Sequence, residues 1–315
     1  MKLFCGFFLL MLVITVKAQN NGYAYPLKHH TFYAQQQKLT IAYMYEKAPK
    51  ENGRTVLLLH GKNFSGTYWN QTIKLLLENG FDVLVPDQIG FGLSDKPQRY
   101  QYSFQQLATN TKSLADSLRI SKLIVLGHSM GGMLAVRFVL QYPEFCSQLI
   151  LENPIGLEDW KIWVPYSNID TEYKKELSKT AASLKKYMLD NYFHGQWKKE
   201  YDSLLYYSSR NLNNESSAWS MALTSDMIFT QPVCYEFSSI KIPSVLMIGQ
   251  LDRTAIGKER VDSNTATRLG NYPELGKKVA NLIPGCRLIE LNGIGHIPHI
   301  EDFNSFSAKL LETLL

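Results

Sequence analysis

Gly127-His128-Ser129-Met130-Gly131 is the segment whose residue types and spacing most directly suggest chemistry. It follows an apolar run, Leu123 to Leu126, and leads into a helical pattern, Met130 to Gln141. A serine that acts as a nucleophile must project its hydroxyl from a sharp strand-to-helix turn. A Cβ two residues before or after would crowd such a turn, and Gly127 and Gly131 have none. Gly132 would let the helix pack close. The helix start then aims its dipole and its free N–H groups at the reacting centre. A chance G-x-S-x-G in an ordinary turn would need neither the strand before it nor the helix after it.

Serine is a weak nucleophile at neutral pH and needs a base. The reading favours His296, in Gly293-Ile294-Gly295-His296, on the loop after the last apolar run. His60 directly precedes Gly61 and is expected to brace a loop. His128 flanks the serine, so its ring should point away from the hydroxyl. His299 falls one helical turn later and is expected either to back the site or to lie on the surface. A base that becomes cationic needs an acid to fix its tautomer. Asp252, in Gly249-Gln250-Leu251-Asp252, follows the seventh run, with Glu152 and Asp159 as rivals after the sixth. A developing oxyanion needs two N–H donors. Met130 N–H should be one. The other should come from His60-Gly61-Lys62-Asn63, with Lys62 preferred and Asn63 second. The loop Asp87-Gln88-Ile89-Gly90-Phe91-Gly92-Leu93-Ser94 is read as structural, with Asp87 and Ser94 bracing it.

Most of these residues fall where an apolar run ends. Residues 31–35 and 38–45 alternate and predict an opening hairpin. Runs at 56–59, 81–85, 123–126, 149–151, 245–248 and 288–291 are apolar apart from Asp82 and Glu290, and helical patterns at 69–79, 104–118 and 130–141 separate them. Such runs alternating with helices predict an α/β fold: a mostly parallel eight-stranded sheet covered by helices on both faces. In that architecture, sites lie at the carboxyl ends of the strands. Residues 157–238 break the rhythm with helical patterns and no buried strand. Fifteen of these 82 residues are aromatic, including four of the five tryptophans. They predict a helical cap whose aromatics fill a small core, line an apolar pocket, or both. The core is then 19–156 with 239–315. The long stretch from Arg253 to Lys277 has no role in this reading.

The chain has 315 residues, 45% of them hydrophobic and 19% charged, which excludes disordered, collagen-like and coiled-coil classes. Met1-Lys2, the apolar run Leu3–Val16 and Val16-Lys17-Ala18 form a signal-peptide pattern over residues 1–18. Cys5 has no lipobox around it. Nothing after Ala18 approaches the length of a membrane span, so the mature chain is expected to be exported, periplasmic or secreted, without stable membrane insertion. Without Lys2 and Lys17, 31 basic residues face 28 acidic ones. The densest basic segment, Lys174–Lys199, is interleaved with Glu176 and Asp190 and reads as a solvated helix face, not a nucleic-acid surface. Cys146, Cys234 and Cys286 allow one internal bridge at most. They are read first as small hydrophobes, and their spacing suggests no metal site. The expected partner is a small-molecule substrate.

Together, the His60-Gly61 strand end, the Asp87–Ser94 loop, the Ser129 turn, Asp252 and His296 resemble the α/β-hydrolase superfamily, in that order. The Gly-Phe-Gly loop and Ser129-Met130-Gly131-Gly132 are similar to its serine-nucleophile branch with a helical lid, which holds carboxylesterases and meta-cleavage-product C–C hydrolases. Epoxide hydrolases and haloalkane dehalogenases share the outline but use an aspartate where this chain has Ser129. The resemblance implies a Ser129-His296-Asp252 triad, an acyl-enzyme and no metal or organic cofactor. The reaction it favours is cleavage of a small apolar or aromatic carboxylic ester. C–C cleavage is the alternative, since Lys62-Asn63 departs from the Gly-rich sequence that C–C hydrolases often carry after His-Gly. An amidase or peptidase also stays open, and more remotely a binding protein on the same fold.

Overall fold

In the computed structural model, residues 21–314 are described, so the leader at 1–18 lies outside the described residues. Eight strands form one sheet: β1 (Lys28–Ala34), β2 (Gln37–Glu46), β3 (Thr55–Leu59), β4 (Asp82–Pro86), β5 (Leu123–His128), β6 (Cys146–Glu152), β7 (Ser244–Gly249) and β8 (Arg287–Leu291). Their spatial order is β1-β2-β4-β3-β5-β6-β7-β8. β2 runs antiparallel to β1 and β4, and the other pairings are parallel. The first hairpin turns at Gln35-Gln36, both with positive φ (50° and 60°), which suits the twist of the flanking strands.

Side chains alternate between the two faces of the sheet. Leu57, Leu59, Leu123, Val125, Leu246 and Ile248 join one core cluster, and Val56, Leu58, Ile124, Leu126, Val245 and Met247 join the other. Burial on both faces explains why these strands read as continuous apolar runs. Helices α1 (Asn70–Glu78), α2 (Phe104–Ser117) and α3 (Met130–Gln141) cover the sheet within the first half. α2 and α3 pack on the first cluster through Leu107, Leu114 and Met133, and α1 packs on the second through Ile73 and Leu76. Ser103 caps α2 by accepting from Gln106 N.

Four helices lie between β6 and β7: α4 (Ile169–Leu177), α5 (Ala181–Asn191), α6 (Asp202–Ser209) and α7 (Glu215–Thr230). Many of the aromatics in this region pack among themselves. Phe193 stacks on Tyr201 at 3.9 Å, and Trp197 meets both rings edge-on. After β7, the chain from Arg253 to Lys277 forms a loop, the short α8 (Ser263–Arg268) and the start of α9 (Tyr272–Leu282). α9 buries Val279 in the first cluster, and Gly276 passes close to Ile248 of β7. α10 (Pro298–Glu301) and α11 (Phe303–Leu314) follow β8, with Phe306 and Leu310 in the second cluster. Cys146, Cys234 and Cys286 are free thiols, and burial raises all three, Cys146 to about 12 and Cys286 to about 11. Among the described residues, no helix is long and apolar enough to cross a membrane.

Candidate active site

β5 and α3 meet at Ser129, whose backbone adopts φ 56°, ψ −121°. A non-glycine residue at positive φ costs about 1–3 kcal/mol and persists only where its surroundings enforce it. Here a Cβ on Gly127 would lie 2.2 Å from Gly131 O, and one on Gly131 would lie 2.1 Å from Leu59 O. The glycines are therefore needed for contact between α3, β5 and the end of β3. Ser129 N donates to Glu152 O, and Ser129 O accepts from Gly132 N and Ile155 N, which fixes the turn from both sides.

β3, β5, β6, β7 and β8 end at one edge, so residues far apart in sequence converge there. Ser129 Oγ lies 3.0 Å from His296 Nε2, and His296 Nδ1 lies 2.7 Å from Asp252 Oδ2. Asp252 and His296 are wholly buried and Ser129 is 6% exposed. Burial raises the Asp252 carboxyl, but His296 beside it and hydrogen bonds from His296, Asn153 and Thr254 outweigh that and hold it below its usual range. The Asp252 contact fixes the proton on His296 Nδ1, so Nε2 presents its lone pair to the serine hydroxyl.

The rival acids are engaged elsewhere. Glu152 Oε1 accepts from His299 Nδ1 at 2.8 Å and from His299 N at 3.0 Å. Asp159 accepts from Lys161 N and Tyr235 Oη. His299 is buried and stacked on Trp69 at 4.2 Å, so it backs the site. His60 donates from Nδ1 to Gly61 O and accepts Gln88 N–H at Nε2, tying β3 to β4. Burial lowers its pKa. Asp87 accepts from Gly66 N, Leu93 N and Tyr23 Oη, while Ser94 Oγ donates to Asp87 O. Both residues hold the loop together.

His128 ties the base loop to the Gly61 loop. His296 O can only accept, so His128 Nε2 donates to it at 2.7 Å. Nδ1 must then accept from Tyr68 Oη at 3.0 Å, and Tyr68 Oη accepts from Gly61 N at 2.8 Å. The chain works only with a neutral imidazole. Burial first, then the neighbouring His296 and His299, hold His128 well below its ordinary pKa. A Cβ on Gly61 would lie 3.1 Å from Ser129 Cβ, so the Gly61-Lys62 backbone runs against the serine. Lys62 N has no acceptor among the described residues. Met130 opens α3, and its N–H belongs to the first turn, where helical carbonyl partners are lacking.

Several residues at this site were not legible as site residues in the sequence. Asn153 donates from Nδ2 to Asp252 Oδ2 at 2.7 Å and accepts Gly249 N–H at Oδ1. Glu301 accepts from Gly295 N and Ile297 N, clasping the His296 loop on both sides. Tyr192, just past α5, stacks on His296 at 4.7 Å, and its hydroxyl accepts from Asn63 Nδ2 at 2.7 Å. Asn63, the second choice as an oxyanion donor, thus ties its side chain to the helical segment between β6 and β7. No local pattern in the sequence marked Asn153, Glu301 or Tyr192.

A cavity of about 580 Å³ has Ser129, Lys62 and Asn63 in its wall. Ile155, Trp160, Tyr192 and Phe229 give it apolar surface, and loop 254–260 lines it too. Charged side chains share that wall. Lys62 and Lys179 both reach Glu176 of α4, at 2.8 and 2.6 Å, and Lys175 pairs with Glu259 at 2.7 Å. The basic segment is thus not purely a solvated face. Burial alone would raise the Glu176 carboxyl, but the two lysines bring it down to about 2. A depressed folded-state pKa contributes stability above the ordinary value near 4.5, and that contribution is lost as pH falls through about 2. Glu176→Gln is expected to cost about 2 kcal/mol at pH 7 in urea unfolding, because two half-buried lysines lose their partner. The gap from the parent should close between pH 5 and 2. A gap that stays constant over that range would show that the carboxylate charge is not what stabilises this contact.

The strand order and the residues at the sheet's carboxyl edge place the protein among hydrolases built on an α/β core. The chain belongs to the alpha/beta hydrolase fold family, whose model matches residues 54–303. It is 45% identical to a probable hydrolytic enzyme from Pseudomonas aeruginosa PAO1, a solved structure that superposes with a TM-score of 0.91 over 93% of this chain and 95% of that one. An uncharacterized protein of Mycobacterium tuberculosis is 37% identical over 106 residues, 34% of this chain and 30% of that protein. The 2-hydroxy-6-oxo-2,4-heptadienoate hydrolase of Pseudomonas putida is 27% identical over 107 residues, 33% of this chain and 39% of that enzyme. The chain thus spans about a third of the length of the curated relatives it matches.

Proposed function

We propose that the protein is a serine hydrolase of carboxylic esters, with Ser129, His296 and Asp252 as its triad. The observation that carries this reading is the directed chain from Ser129 Oγ through His296 to Asp252 at 3.0 and 2.7 Å, on a serine held at positive φ. His296 Nε2 takes the hydroxyl proton as Oγ attacks the ester carbonyl. The N–H groups of Met130 and Lys62 receive the oxyanion. His296 then returns the proton to the departing alcohol, leaving an acyl-Ser129. Water, deprotonated by His296, attacks the acyl carbon; His296 passes that proton to the departing Ser129 Oγ, and the acid is released. Asp252 stabilises the imidazolium that forms twice in the cycle, and the stacked Tyr192 ring adds a favourable face for that cation. In this reading α4–α7 form a lid, and Trp160, Tyr192 and Phe229 offer surface to an apolar or aromatic ester of modest size. The export read from residues 1–18 remains part of the proposal.

C–C cleavage is the second reading, favoured by the similarity to the heptadienoate hydrolase. Turnover of p-nitrophenyl esters against a ring-fission dienoate separates the two. Ester turnover that exceeds dienoate turnover in kcat/KM is expected, and the reverse order would favour C–C cleavage. Short polar esters outperforming aryl or medium-chain ones would remove the apolar-substrate reading. A well-folded protein that neither turns over any of these substrates nor reacts with a fluorophosphonate would leave a binding role on the hydrolase fold.

A further inference from the structure

The cavity that holds Ser129 carries nine charged side chains, five basic and four acidic, so its wall has one positive charge in excess. Most of these charges are satisfied within the protein. Lys62 and Lys179 share Glu176, and Lys175 holds Glu259. Lys258 Nζ donates to Arg253 O, and Asp226 accepts from Tyr166 Oη. Glu172, in the first turn of α4, makes no ion pair among the described residues. Arg260 is the remaining cation. Its Nε and Nη1 are out of contact with solvent and have no hydrogen-bond acceptor among the described residues. The guanidinium lies over the Phe229 ring at 5.7 Å and against Gly257, where an added Cβ would come within 2.7 Å of Nη2. Gly257 has φ 79°, a conformation that glycine adopts without strain. Nε and Nη1 are thus closed off beside a ring and a bare stretch of backbone, and Nη2 is the end of the guanidinium that can meet the cavity holding Ser129.

Buried donors without an acceptor are costly, and a charged one more so. A guanidinium keeps its charge at any working pH and gives a carboxylate a charge-assisted hydrogen bond. The single excess charge on the wall suits a singly charged group. We propose that Arg260 anchors a free carboxylate on the substrate, so that the ester cleaved at Ser129 belongs to a molecule that also carries a carboxylic acid, such as a dicarboxylic half-ester. This deepens, and rests on, the reading of Ser129 as an ester-cleaving nucleophile. It also gives the loop after Asp252 a role: the loop that supplies the triad acid supplies the substrate anchor eight residues later.

The test compares p-nitrophenyl hemiglutarate with p-nitrophenyl methyl glutarate, the same chain with its carboxylate masked. The parent is expected to prefer the free acid by about 30-fold or more in kcat/KM, the scale of one desolvated charge pair. Arg260→Gln should remove that preference, the free acid losing at least about tenfold more kcat/KM than the methyl ester. Arg260→Lys, which keeps the charge without the guanidinium, should fall between them. Equal rates on the two esters in the parent would overturn the proposal, as would a parallel loss on both in Arg260→Gln protein that is folded by circular dichroism. Glutarate binding to Ser129→Ala protein, measured calorimetrically, reads the anchor without turnover. Binding that Arg260→Gln abolishes, while the parent with Ser129 intact hydrolyses neither ester, would sustain the anchor and remove the hydrolase reading. No binding to either protein would overturn the anchor whatever the rates.

Discussion

Ser129→Ala is expected to lower kcat on p-nitrophenyl butyrate by at least about 10⁴-fold and to abolish labelling by a fluorophosphonate, because no acyl-enzyme can form without Oγ. The residual rate should be what the N–H donors and the cavity supply to attack by water. The fold should survive. The side chain's one hydrogen bond is to His296, and alanine bears the same positive-φ strain. Ser129→Gly separates the two roles of this position. It should be as inactive as the alanine variant, yet more stable than it by about 1 kcal/mol, since glycine accepts φ 56° without steric cost. Retention of more than about 1% of parental kcat by Ser129→Ala would remove Ser129 as the nucleophile. Equal stability of the alanine and glycine variants would show that the turn stores no strain.

What the sequence made legible follows from where the chemistry sits. Ser129, Asp252 and His296 each stand within a few residues of the carboxyl end of an apolar strand, so a local pattern, read three times, brings them to one edge of a parallel sheet. The inner strands were legible because burial on both faces leaves apolar runs, and the opening hairpin was legible from its alternation. The supporting residues carry no such local mark. Asn153 meets Asp252 across 99 positions, and His128 meets the His296 carbonyl across 168. Glu301 could have been a surface residue of a short helix until its carboxylate was seen to receive two amides of the His296 loop. Glu152 was a plausible rival acid because it ends β6. Only the packing of α10 shows that it is committed to His299. In the cap, aromatic content indicated a helical core but not which rings face the cavity. The charged wall around Glu176 and Arg260 depends on how α4 and the loop after β7 approach each other, which no spacing encodes.

Asp252→Asn tests the other end of the proposed triad, and its surroundings sharpen the expectation. An asparagine here should lower kcat by about 10⁴-fold, because its amide can donate to His296 Nδ1 and so turn the ring to the tautomer whose Nε2 carries a proton and cannot accept from Ser129. The structure adds a cost in stability. Oδ1 accepts from Thr254 N at 2.8 Å, while Oδ2 accepts from Asn153 Nδ2 and His296 Nδ1, each at 2.7 Å. Donors thus feed both oxygens, and the asparagine amide group must face at least one of them in either orientation. A buried donor set against a donor costs about 1–3 kcal/mol, so thermal unfolding should fall by several degrees alongside the loss of rate. Glu152→Gln is the matched control. It disturbs an equally buried carboxylate, one that bonds His299 and not His296, so it should lower stability while leaving kcat within about tenfold. If Asp252→Asn kept kcat within tenfold, or if the two variants lost rate equally, Asp252 would not be the residue that orients the base.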